Sequence, residues 1–143
     1  MKKKEERYSG NLIVPYNPKK YDLEKALSLF PYLEWTQHAR PEVGGSVYLY
    51  IGKTGGKTNG QQLAYEFEVL AINAEATIDD SCCMLVPGTF SNKGKFFRMK
   101  FLRRIPSQTI TLQDLLDHGL KKYPQSQTKV PFGLQAYIDS VLD

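Results

Sequence analysis

The chain has 143 residues, 41% apolar and 24% charged, with a formal net charge of +4. That is one domain of an ordinary soluble globular type, and no apolar run approaches the roughly 20 residues a membrane-spanning helix needs. The start, Met-Lys-Lys-Lys-Glu-Glu-Arg, has no apolar stretch behind it, so no secretory signal is expected, and the location inferred is intracellular, in the cytoplasm. The two cysteines, Cys82 and Cys83, are neighbours, too few for a disulfide framework or a zinc cage.

Residues 1–10 are polar and charged and are expected to form a flexible basic tail, with 11–143 as a single domain. Leu12-Ile13-Val14-Pro15 predicts a first strand. Asp22 can cap a helix whose one face carries Leu23, Ala26, Leu27 and Phe30, and Pro31 stops it. Val47, Leu49 and Ile51 alternate with Ser46, Tyr48 and Tyr50, which predicts a strand with the two tyrosines turned away from the core. Residues 53–60 form a Gly- and Thr-rich hairpin loop, and 63–72 return as an antiparallel strand. Further strands are expected at 82–86 and 95–105, joined through a Pro87-Gly88 turn. Thr111 and Asp114 mark a helix start that Gly119 ends, 121–129 reads as a polar loop, and a last helix runs from Phe132 to Leu142. The whole predicts an α+β domain in which about five strands close into a small twisted β-barrel with short flanking helices.

The chemistry-bearing candidates are few. Gly52-Lys53-Thr54-Gly55-Gly56-Lys57-Thr58 imitates a phosphate-binding loop but is one residue short, and a strand follows where a helix is required. Neither a nucleophile elbow nor a metal-ligand cluster is present, and Asp79-Asp80 reads as a solvated turn. No catalytic residue, metal or cofactor is assigned. The cations are concentrated instead: Lys93, Lys95, Arg98, Lys100, Arg103 and Arg104 fall within twelve residues that hold no acid. With Phe96, Phe97 and Phe101 between them, they form either an anion-facing surface or a solvated strand face. Nine Tyr, seven Phe and one Trp supply aromatic surface for a flat heterocycle, or simply core beneath the helices.

The order Leu12-Ile13-Val14-Pro15-Tyr16-Asn17-Pro18, then Trp35-Thr36-Gln37, then Val43-Gly44-Gly45-Ser46-Val47-Tyr48-Leu49-Tyr50-Ile51, resembles an EVE-like domain of the PUA superfamily. Tyr65-Glu66-Phe67-Glu68-Val69, Phe97-Arg98-Met99-Lys100-Phe101-Leu102 and Leu115-Leu116-Asp117-His118-Gly119-Leu120 extend the likeness over most of the chain. The family usually has Gly-Asp where this chain has Gly44-Gly45. The resemblance implies a PUA-like barrel that reads a modified, flipped-out nucleobase, as the related YTH domains do with an aromatic cage. It implies a link to DNA restriction or phage defence, with a separate nuclease or NTPase subunit as partner. Carried over, Trp35 and Tyr16 would be walls, Tyr50 and Ile51 would line the pocket, and Asn17 and Gln37 would read the base edge. Arg98, Lys100, Arg103, Arg104, Lys53 and Lys57 would meet phosphates. Two alternatives remain within the superfamily: an RNA-binding module without modification preference, and an ASCH-like hydrolase of modified nucleosides. The Gly-x-Lys-x-x-Glu signature associated with the second is absent.

Overall fold

A computed structural model describes residues 8–56, 60–86 and 94–143. Among these residues, six strands form one mixed sheet: β1 (Tyr8–Tyr16), β2 (Leu33–Thr36), β3 (Ser46–Ile51), β4 (Gln62–Ala74), β5 (Phe96–Arg104) and β6 (Thr128–Pro131), in the order β2-β5-β4-β3-β1-β6. Among the described residues, three short helices accompany it: α1 (Leu23–Leu29), α2 (Leu112–Asp117) and α3 (Phe132–Leu142). The α+β class expected from the sequence holds. The sheet is not hydrogen-bonded into a closed barrel, because β2 and β6 remain its two edges.

β1 lies parallel to β3, so the chain must cross over between them, and α1 and β2 occupy that crossover. All other pairings are antiparallel. Local chemistry sets the helix ends. Asp22 Oδ1 accepts from Lys25 N at 3.1 Å, and Thr111 and Asp114 form a reciprocal capping box. Gly119 follows α2 with φ +125°, a conformation that favours glycine. Gly45 has a steric reason: a Cβ there would come within 2.7 Å of Asn11 Oδ1, the atom that accepts from Ser46 N.

The centre of the sheet at β1 and β3 is buried on both faces, which explains why Leu12, Ile13 and Val14 are all inaccessible. One core packs Leu12, Val14, Val47, Leu49, Phe67, Phe97 and Met99 against Leu23 and Ala26 of α1. The other packs Ile13, Tyr48, Tyr50 and Leu63 beneath Leu115, Leu134 and Ile138 of α2 and α3.

Four expectations need correction. β1 starts at Tyr8, inside the expected tail, because Tyr8 pairs with Pro131 of β6; residues 1–7 lie outside the described region. The expected strand at 82–86 is instead a 3-10 turn at Ser81–Cys83, drawn tight by Cys83 N donating to Asp80 O and Met84 N to Ser81 O. The polar loop at 121–129 ends in β6. Tyr48 and Tyr50 leave the first core but enter the second, since α2 and α3 cover that face. The Pro87-Gly88 turn falls outside the described residues. No helix among the described residues is long and apolar enough to cross a membrane.

Candidate base-binding cavity

A cavity of about 550 Å³ opens beside β1 and β2, with 125–127 on its far wall. Its size suits a small organic ligand. Val14, Pro15, Met84 and Phe96 form the apolar side, while Trp35, Tyr21, Asp80 and His38 bring rings and polar atoms. The Trp35 ring is half-buried and stands edge-on to Tyr21, at 5.3 Å and 72°, and to Tyr16, at 6.3 Å and 76°. Such edge-to-face contacts hold a ring in one orientation.

The acidic groups are fixed in two different ways. Glu34 is buried and its carboxylate takes five donors: Thr77 N, Thr77 Oγ1, Ile78 N, and Nε and Nη2 of Arg98. Burial opposes its ionisation, but the hydrogen bonds from Thr77, Ile78 and Arg98 outweigh that and hold its pKa below the ordinary value. Glu34 therefore ties the segment before Asp80 to β2. Asp80 is held by Tyr21, whose hydroxyl donates to Asp80 Oδ2 at 2.6 Å. Burial, then the bond to Asp80, push the Tyr21 phenol well above its usual pKa, so it stays a donor.

Gln127 spans the open side of the sheet. Its Oε1 accepts from His38 N at 2.9 Å and Ala39 N at 3.0 Å, and its Nε2 donates to the Thr36 carbonyl. One side chain thus joins the end of β2 to the start of β6 at the cavity mouth.

Of the six residues expected around a base, Trp35 is the one on this wall among the described residues. Tyr16 braces Trp35 from behind, and its hydroxyl donates to the Tyr21 carbonyl at 2.7 Å. Tyr16 and Ile51 border a separate cavity of about 500 Å³. Tyr50 is enclosed in the second core, and burial raises its phenol pKa. Asn17 caps a turn, accepting from Lys19 N at 2.9 Å. Gln37 is engaged in a reciprocal pair with Asn73, donating to its side chain at 2.8 Å and accepting from its backbone at 2.9 Å. The sequence does not single out Tyr21 or Gln127, and the solvated turn expected at Asp79-Asp80 needs correction, since Asp80 is half-buried and bonded to Tyr21 on the cavity wall that Trp35 and Gln127 share. The aromatic-acidic pairing was not visible because 59 positions separate Tyr21 from Asp80.

Among the expected phosphate contacts, each of the three arginines has a carboxylate partner. Arg98 pairs with Glu34 at 2.9 Å, Arg103 with Glu66 at 2.9 Å, and Arg104 with Glu24. The reason is register: Arg98 lies opposite Glu34, and Arg103 opposite Glu66, on adjacent strands. Lys100 and Lys53 are exposed, and Lys57 lies outside the described residues.

No protein family and no curated protein sequence matches the chain. Solved structures do. The ASCH protein of Zymomonas mobilis has a TM-score of 0.59 at 13% identity, over 92% of this chain and 94% of that one. A hypothetical protein from Leishmania major has a TM-score of 0.52 at 20% identity, over 91% and 92%. Human THYN1, solved in complex with 5-methylcytosine-containing DNA, has a TM-score of 0.52 at 11% identity, over 92% and 96%. At such identities the likeness shows the fold alone: the chain is an α+β domain that shares its fold with these structures.

Proposed function

We propose that this domain binds nucleic acid and takes one nucleobase, preferentially a modified one in DNA, into the cavity beside Trp35. The observation that carries the reading is the braced Trp35 ring on the wall of a cavity of suitable size. The shared fold with THYN1, which was solved with 5-methylcytosine-containing DNA, supports it. A base inside a duplex must be flipped to enter, at a cost of a few kcal/mol, and stacking returns roughly 1–3 kcal/mol. The apolar side formed by Val14, Pro15 and Met84 gives a methyl group somewhere to pack, a gain of about 1 kcal/mol. With the arginines paired, phosphate contacts fall to exposed Lys20 and Lys95, each next in sequence to a cavity residue, and to Lys100.

The test is fluorescence titration of Trp35, the sole tryptophan, with duplexes carrying cytosine, 5-methylcytosine, adenine or N6-methyladenine, beside matched RNAs. Quenching selective for one modified DNA base is the expected result, together with a loss of at least about tenfold in affinity in Trp35→Ala, read by fluorescence anisotropy of labelled probes because that variant has no tryptophan. Equal affinity of Trp35→Ala and wild type for every probe overturns the reading.

A second reading, hydrolysis of a modified nucleoside, is favoured by the ASCH likeness together with the Asp80 carboxylate on the cavity wall. Product release from methylated or acetylated cytidine, followed by chromatography, distinguishes turnover from binding.

A further inference from the structure

Resting on the base-binding reading, we propose that Asp80 reads the edge of the bound base, so that the cavity selects bases bearing an exocyclic amino group over thymine and uracil. Asp80 and Trp35 line the same cavity. Asp80 Oδ2 accepts from the Tyr21 hydroxyl, while Oδ1 accepts no hydrogen bond among the described residues. The carboxylate is aimed by its surroundings. Tyr21 is packed edge-on to Trp35, Asp80 O accepts from Cys83 N at 2.8 Å, and Glu34 secures Thr77 and Ile78 just upstream.

An ionised carboxylate only accepts. The amino groups of cytosine, adenine and guanine donate, and a carboxylate is a recognised partner of cytosine N4. Thymine and uracil would instead set the C4 carbonyl against Asp80, acceptor against acceptor in a partly dehydrated site. Glu34, with its five donors, has no remaining role at the base edge. Tyr21 is a positioning residue here, because its hydroxyl holds Asp80 without having to touch the base.

The closest pair of probes is 5-methylcytosine and thymine, which share the C5 methyl and differ at C4 and N3. Single-stranded DNAs carrying one such base between abasic sites remove flipping and competing bases from the comparison. Wild type is expected to prefer 5-methylcytosine by about tenfold or more, the scale of one net hydrogen bond to a charged group. Asp80→Asn, which can present an amide donor in the same shape, is expected to bring the ratio near one or reverse it. Tyr21→Phe is expected to lower the ratio more than it lowers binding of thymine, which a general loss of packing would not do. If Asp80→Asn does not fold, Tyr21→Phe decides. An unchanged ratio in the folded variants, with binding still lost in Trp35→Ala, overturns the role of Asp80 and leaves the base-binding reading standing. Binding of both probes unaffected by Trp35→Ala overturns both.

Discussion

Thr36 ends one edge strand of the sheet and Gln127 immediately precedes the other, yet the Gln127 amide donates to the Thr36 carbonyl across the gap. The same side chain accepts from His38 N and Ala39 N. Replacing Gln127 by Ala leaves three backbone groups at the cavity mouth to find water. The expected cost is about 1–3 kcal/mol in urea unfolding. Base affinity should fall with it, because the loop opposite Trp35 loses its tether. Full retention of both stability and affinity would mean that the two edges do not depend on this bridge.

Tyr50 is expected to matter for folding and not for ligand choice. It is 2% exposed in the core under α2 and α3. Tyr50→Ala should destabilise by about 3–5 kcal/mol, as aromatic-to-alanine changes in cores do. At a temperature where the variant is folded, its relative affinity for the probe bases should equal that of wild type. A changed base preference would place Tyr50 in the binding site after all.

Acid should weaken the fold through Glu34. Its pKa is lowered in the folded state, so its contribution is complete above the ordinary value of 4.5 and is lost as pH falls through the folded value. Glu24, held down chiefly by its hydrogen bond to Arg104, acts in the same direction. Glu34→Gln should cost about 2 kcal/mol at neutral pH, the scale of a hydrogen bond to a charged group. It should also flatten the acid limb of the stability curve. Urea midpoints between pH 3 and 7 report both effects, and parallel curves for the two proteins would rule the assignment out.

The two neighbouring thiols should behave differently. Cys82 is exposed and Cys83 is buried, with burial and the contact with Cys82 pushing the Cys83 thiol up to about 11. Since the thiolate is the reactive form, iodoacetamide at pH 8 should label Cys82 rapidly and Cys83 only on unfolding. Mass spectrometry of the labelled peptide gives the site, and equal labelling of both would show that this turn opens readily.

Much of the architecture was legible where local chemistry decides it. The caps at Asp22 and Thr111 and the alternation in β3 were enough to place α1, α2 and β3. β6 was not legible, since four residues ending in proline carry no alternation signal and acquire strand geometry only against β1. Alternation in β3 separated the two faces correctly but could not say that the second was also covered, which is why Tyr48 and Tyr50 changed role. Around the cavity, Trp35 stood out by being the single tryptophan. Tyr21 and Asp80 carried no signal of their own, because their meaning comes from a hydrogen bond across 59 positions. The basic run was visible as charge, but its pairing with Glu34, Glu66 and Glu24 depends on strand register and helix placement.

The pairing of β1 with β6 has a kinetic side. β1 finds one neighbour in β3 and the other in a strand that starts at Thr128, so its second ladder closes a loop of more than a hundred residues. Long-range pairing of this kind is slow, because chain entropy is lost before contacts compensate for it. During synthesis, β1 must wait with one edge uncovered until β6 emerges. The cavity mouth waits with it, since Gln127 immediately precedes that strand. The cavity is therefore among the last parts of the domain to assemble, and a stalled chain would display β1 as an open edge with no finished pocket beside it.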